Sequence, residues 1–171
     1  MKTEFLRRVA IVAIVALTMS LPAAAQKKGD MAAGGNLLFG TTSGYSNLGI
    51  GAKFLYNVTD PIRLAGEFDY FLKKNYVNFW DFSVYGHYLF PIGDKIAVYP
   101  EVGLGVVGVT ASSVSIMGIK VGGGTDTKFA LSLGGGVDYP LTSNLTLNGG
   151  LRFKTITDGW FNIFAGIAYK F

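Results

Sequence analysis

The sequence predicts an all-β fold: an eight-stranded antiparallel up-and-down β-barrel that crosses a lipid bilayer, behind a removable leader. Three observations carry this. From Leu48 onward the extended segments alternate with a period of two. Their charges (Lys53, Arg63, Glu67, Asp69, Asp81, Glu101, Lys128, Asp138, Arg152, Lys154 and Lys170) fall on one face. The alternate positions are almost entirely Leu, Ile, Val, Phe, Tyr, Trp, Ala or Gly, an apolar face too continuous and aromatic to be left in water. Half the residues are hydrophobic, yet beyond the leader no apolar run reaches the ~20 residues that a membrane-crossing helix needs. A closed barrel, apolar outside and polar inside, satisfies both faces and leaves no unpaired backbone in the hydrocarbon.

The leader is residues 1–25. Lys2, Arg7 and Arg8 form a basic start, residues 9–17 an apolar core, and Ala23-Ala24-Ala25 a small-residue cleavage site, the three parts of a secretory signal peptide. The barrel domain is then 26–171. Cleavage removes Lys2, Arg7, Arg8 and Glu4, lowering the formal charge from +4 to +2. The basic balance is thus partly a property of the leader, and no Lys/Arg-rich run with interleaved aromatics points to nucleic acid. The chain has no cysteine, so it builds neither disulfides nor thiolate metal sites.

Eight segments follow in order. The first, 31–41, turns Phe39 outward; 47–58 points Lys53 inward and Tyr56 outward. In 62–72, Arg63, Glu67 and Asp69 face in and Tyr70 faces out. Asp81 and His87 are inward in 79–90, while Trp80, Phe82, Tyr88 and Phe90 are outward. Glu101, Gly103 and Gly105 are the inward set of 96–109. Lys128 and Asp138 face in from 127–139, with Phe129 and Tyr139 facing out and Leu131 at lipid-facing parity near mid-membrane. Arg152 and Lys154 face in from 145–155, and 160–171 sends Phe161, Tyr169 and Phe171 outward. Most of these lengths suit a tilted membrane strand of ~9–11 residues.

The connectors alternate in kind. Turns at 59–61, 91–95 and 140–144 each carry a proline, a residue that terminates strands. The others, 42–46, 73–78, 110–126 and 156–159, include one long segment running from Thr110 to Asp126. Short turns mark the periplasmic side of outer-membrane barrels and longer loops the outside, so both termini are expected in the periplasm. The long segment still alternates through Val114, Ile116, Ile119 and Val121 and is expected to form a hairpin above the wall. It is also the expected contact surface for an extracellular partner.

Turn geometry predicts register. A turn about Thr59-Asp60 sets Lys53 opposite Glu67 as a cross-strand ion pair, and a turn begun at Pro91 sets Glu101 near Tyr85 and His87 near Tyr99. Glu67, Asp69 and Asp81 then form an acidic wall facing a basic wall of Lys128, Arg152 and Lys154. Gly49, Gly51, Gly103, Gly105, Gly134, Gly136 and Gly150 leave room for these side chains. Since eight strands enclose only enough space for side chains to fill, the lumen is expected to be plugged. Two aromatic girdles are expected at the headgroup levels. Tyr56, Tyr88, Phe90, Tyr139, Tyr169 and Phe171 form one; Phe39, Tyr70, Trp80, Phe82, Phe129 and Phe161 form the other.

The C-terminal alternation of Phe161, Ile163, Ala165, Ile167, Tyr169 and Phe171 resembles the β-signal of bacterial outer-membrane proteins. The stretch Leu133-Gly-Gly-Gly-Val-Asp-Tyr-Pro-Leu-Thr-Ser-Asn-Leu-Thr-Leu-Asn-Gly-Gly-Leu-Arg-Phe153 resembles the penultimate hairpin of the OmpA/OmpX-type eight-stranded family. The resemblance implies residence in a Gram-negative outer membrane amid lipid and lipopolysaccharide. It implies recognition of the segment ending in Phe171 by the barrel-assembly machinery, and roles from envelope structure to surface interaction. A narrow porin-like channel and a lipid A-modifying enzyme are the alternatives.

Chemistry is sparse. His87, the only histidine, has inward parity near the Pro91 turn and no Ser or Asp predicted to orient it as a triad requires, so it reads as lumen filling. The carboxylates Glu67, Asp69 and Asp81 read as members of an ion-pair network, not a cation site. Gly103-Leu-Gly-Val-Val-Gly108 matches G-x-G-x-x-G without the helix that phosphate binding needs. No catalytic, cofactor or metal residue is assigned, and no cofactor is expected. Asn57-Val-Thr59 and Asn144-Leu-Thr146 match glycosylation sequons that a bacterial periplasmic turn does not use.

Overall fold

Period-two alternation gives strands because successive side chains leave a strand on opposite faces. In a computed structural model that describes residues 27–42, 45–74, 77–93, 95–111, 114–116, 119–121, 123–156 and 159–171, every segment predicted above is extended. The strands are β1 (Met31–Thr42), β2 (Tyr45–Asn57), β3 (Ile62–Lys74), β4 (Val77–Tyr88), β5 (Phe90–Ile92), β6 (Ile96–Ala111), β7 (Val114–Ile116), β8 (Ile119–Val121), β9 (Gly124–Pro140), β10 (Leu145–Lys154) and β11 (Trp160–Lys170). The expected leader, 1–25, lies outside the described residues.

The sheet runs β4-β3-β2-β1-β11-β10-β9-β6-β5, and β4 also pairs with β6. β1 meets β11 antiparallel from Ala32↔Lys170 to Thr41↔Phe161, so the ring is closed. Because β5 continues β4 beyond Leu89 along the same partner, β6, the described residues form eight wall strands. Closure abolishes the sheet edges that a bilayer cannot tolerate. β7 and β8 form their own antiparallel hairpin, Val114↔Val121 to Ile116↔Ile119, as the alternation in 110–126 predicts.

The β2–β3 register is the expected one, with Lys53↔Glu67. The β4–β6 register differs from expectation by two residues. His87 faces Glu101 and Tyr85 faces Gly103, instead of Glu101 meeting Tyr85. The cause is Pro91, which does not begin the turn. The strand runs through it as Pro91↔Ala97 and Ile92↔Ile96, and the chain reverses only at Gly93, whose φ is 63°. Proline is tolerated near a strand end, where its missing N–H costs no ladder bond. At the interruption the Leu89 amide instead donates to the Pro61 carbonyl at 2.7 Å.

The two faces sort as the alternation requires. Leu37, Leu48, Phe68, Leu104, Phe129, Leu133, Ile163 and their neighbours point outward and exposed, the arrangement of a lipid-facing wall. Outward Phe54, Phe68 and Phe153 lie beside members of the expected girdles: the Phe54 ring is 6.4 Å from that of Phe171, and Phe68 and Phe153 stand cross-strand from Phe82 and Phe161. On the inner face Lys53, Arg63, Glu67, Asp69, Asp81, Glu101, Asp138, Arg152 and Lys154 are all buried. Lys128 departs from the expectation. Although it shares the inward parity, it is exposed, because β9 rises past the end of β10 and its upper residues stand above the filled lumen.

Candidate functional site

The lumen is layered from the end that carries the loops to the end that carries the termini. At the loop end an apolar plug of Leu38, Phe71, Val107, Ala130, Trp160 and Phe164 is buried, with Phe79 packed against it. The Trp160 ring lies 4.5 Å from that of Phe71 and 5.4 Å from that of Phe79, spacings at which tilted aromatic pairs attract. The expectation of a polar lumen throughout misses this plug. Its signal was nonetheless available, since Leu38, Phe71, Trp160 and Phe164 occupy inward parity in their segments.

Beneath the plug the acidic and basic walls meet. Lys154 Nζ donates to Asp81, to Ser83 Oγ at 3.1 Å and to Tyr85 Oη at 2.8 Å. Arg152 bridges two glutamates. It donates from Nε and Nη2 to Glu101 at 2.5 and 3.1 Å, and from Nη1 to Glu67 at 2.9 Å. Its guanidinium lies 3.8 Å from the Tyr85 ring centroid. Charge-assisted bonds of this type are about twice as strong as neutral ones, and they allow charges to stay buried. Asp69, 1% exposed, belongs to this acidic wall but has no hydrogen bond to either oxygen among the described residues. Its cross-strand neighbour is Asp81.

Lys53 corrects a second expectation. It stands opposite Glu67, yet its ammonium donates to Asn36 Oδ1 at 2.6 Å and Asn148 Oδ1 at 2.5 Å. Glu67 is held by Arg152 instead, and accepts a 3.4 Å bond from Asn36 Nδ2. A guanidinium that can engage two carboxylates outcompetes a single ammonium for the shared acid. Nearer the termini, Arg63 donates to His87 Nδ1 at 3.1 Å and to Asp138 Oδ2 at 2.5 Å. His87 stacks on Tyr99 at 4.6 Å, and its Nε2 lies 3.2 Å from Glu101. The histidine thus sits buried between a cation and an anion in the packed lumen.

The glycines of the inner face make this packing feasible. A side chain on Gly103 would meet the Tyr85 ring, one on Gly51 the Asp69 carboxylate, and one on Gly136 the Tyr99 hydroxyl. The G-x-G-x-x-G match lies within β6, in extended strand, where its glycines accommodate Tyr85, Ser83 and Trp80. Among the described residues no group of three or more histidines or acids is placed to hold a metal ion.

The second chemically distinctive feature lies above the membrane wall. β9 pairs with β6 up to Ala111↔Gly124, but with β10 only from Lys154↔Ser132 downward. One further link joins Leu131 to Thr155, whose amide donates to the Leu131 carbonyl at 2.8 Å while the Leu131 amide donates to Thr155 Oγ1 at 3.1 Å. Leu131 therefore directs its backbone toward the β10 side, and by the period of two so do Phe129, Thr127 and Thr125. Those three exposed residues have no strand partner on that side among the described residues.

A family model described as the outer membrane protein beta-barrel domain matches residues 10–171. A comparison with curated proteins finds no match. Among solved structures the chain is similar to Neisserial surface protein A, with a TM-score of 0.63 at 17% identity over 83% of this chain and 96% of that one. It is also similar to Ail, the attachment invasion locus protein of Yersinia pestis (0.60, 18%, 84% and 99%). The N-terminal barrel domain of OprF from Pseudomonas aeruginosa is a third (0.61, 16%, 85% and 100%). At these identities the likeness is one of fold.

Proposed function

Because this chain belongs to the outer membrane protein beta-barrel domain family and is an integral barrel of the Gram-negative outer membrane, we propose that it serves at the cell surface as an interaction protein. Its contact surface is the extension of β6 and β9 with the hairpin between them. The observation that carries this reading is that, among the described residues, the β9 edge at Thr125, Thr127 and Phe129 has no strand partner on the β10 side. Backbone donors and acceptors left on an exposed edge favour an added strand, and alternate side chains then confer selectivity. Such groups are not tolerated against lipid tails, so the edge belongs at or above the headgroups. That Ail is an attachment invasion locus protein agrees with this assignment.

The finer parts of the reading follow from it. The expected signal peptide, 1–25, delivers the chain to the periplasm. The barrel-assembly machinery engages the segment ending in Phe171, and the termini and proline-bearing turns remain periplasmic. The packed lumen supports a structural interior over a channel, and the placement of His87 offers no catalytic constellation. Adhesion to immobilised extracellular-matrix proteins tests the surface role by comparing cells that display the barrel with cells that lack it. Removing 112–122, or introducing Thr127→Pro, is expected to abolish the added adhesion. Proline at this position deletes one edge donor without touching the β6 ladder. Adhesion that survives both changes in a folded barrel refutes the proposal.

A further inference from the structure

At the opposite end of the barrel, a cavity of about 330 Å³ enters the lumen from the side of the termini. Its floor is the buried Arg63–Asp138 pair, joined at 2.5 Å, and its rim carries Lys170 and Asp30, 3.4 Å apart and 35% and 26% exposed. Leu55 and Ala168, both buried, supply an apolar wall. Asn148, 5% exposed, lines the cavity as well. Its amide oxygen receives Lys53, whereas its amide nitrogen donates to no described residue. Asn148 lines the cavity, which leaves this nitrogen available to a carbonyl placed there.

We propose that this vestibule is a binding site for a small zwitterion of dipeptide size. Its charge balance excludes ions of one sign, because the two cationic side chains that line it are each matched by an anionic one. The rim pair is long and solvated, and pairs of that kind contribute little. A ligand bearing its own carboxylate and ammonium can replace it, presenting the carboxylate to Lys170 and the ammonium to Asp30. The peptide carbonyl then accepts from the Asn148 amide nitrogen, and a small apolar side chain rests on Leu55 and Ala168. The volume agrees: a cavity of ~150 Å³ takes up benzene, so one roughly twice as large suits about a dozen non-hydrogen atoms.

Titrating the isotope-labelled, folded full-length barrel in micelles with alanyl-alanine tests the site by amide NMR. Saturable shifts confined to the Asn148 side-chain amide and the lining strands are expected. Lys170→Gln, at the solvated rim where folding is insensitive, is expected to weaken binding at least tenfold. The uncharged analogue N-acetylalanine methylamide is expected to give no saturable shift. The site is refuted if the lining resonances do not move, if the uncharged analogue binds as tightly, or if Lys170→Gln leaves the affinity unchanged. Because β9's upper edge lies at the other end, neither result bears on the surface role.

Discussion

The lipid-facing row of β9 allows the membrane position to be tested quantitatively. Phe129, Leu131 and Leu133 all point outward and are exposed. A strand advances ~3.3 Å per residue and tilts ~40° in a barrel, giving ~2.5 Å along the membrane normal. With Phe129 at the outer aromatic level, Leu131 lies ~5 Å below it and Leu133 ~10 Å. The apolar band is ~25 Å tall, so Leu133, not Leu131, is close to the midplane. An arginine costs ~2–4 kcal/mol at the midplane and ~0–1 kcal/mol near the interface. Leu133→Arg is therefore expected to cost ~2–4 kcal/mol, Leu131→Arg an intermediate amount and Phe129→Arg least. Equilibrium unfolding from phospholipid vesicles, read by tryptophan fluorescence, measures the series. A cost at Leu131 equal to or above that at Leu133, or none at either, would refute the assigned face and depth.

The lumen supplies further expectations. Arg152→Met leaves Glu67 and Glu101 buried without their principal cation and is expected to destabilise by ~3–5 kcal/mol; restoring neutrality with Glu67→Gln and Glu101→Gln recovers most of the loss in the same unfolding assay. Asp69→Asn removes a lumen carboxylate that accepts no hydrogen bond among the described residues, and midpoints equal to or above those of the parent are expected. A drop of more than 1 kcal/mol contradicts the absence of a stabilising partner. In planar bilayers the parent barrel is expected to show no steady conductance, and Trp160→Ala with Phe71→Ala is expected to leave the Arg152 layer still closing the path. A steady conductance altered by Glu67 or Arg152 substitutions favours the channel alternative.

How much of this was legible depends on range. Alternation decides inside from outside within one strand, so strand identity, the inward set and barrel closure could be read from residue parity alone. Register across a tight hairpin was legible where the turn was ordinary, as at Lys53 and Glu67. It failed where Pro91 was assigned to the turn although the strand continues through it. Partner choice was the least legible. Glu67 faces Lys53 but binds Arg152, because competition among charges meeting across the lumen involves strands distant in sequence. Lys128 failed for a related reason: parity gives direction, while height relative to the end of β10 decides burial.

The bridging of Arg152 also bears on the order in which the chain can be assembled. Glu67, Asp81 and Glu101 come from β3, β4 and β6, whereas the cations that bind them, Arg152 and Lys154, both reside in β10. During synthesis the acids emerge first and must remain hydrated until the seventh wall strand arrives. A truncated or half-folded sheet would have to carry unmatched carboxylates into the bilayer, at a cost of several kcal/mol each. The interior thus acts as a proofreading step, in which entry into the membrane becomes favourable only once the C-terminal strands are present to complete the ring.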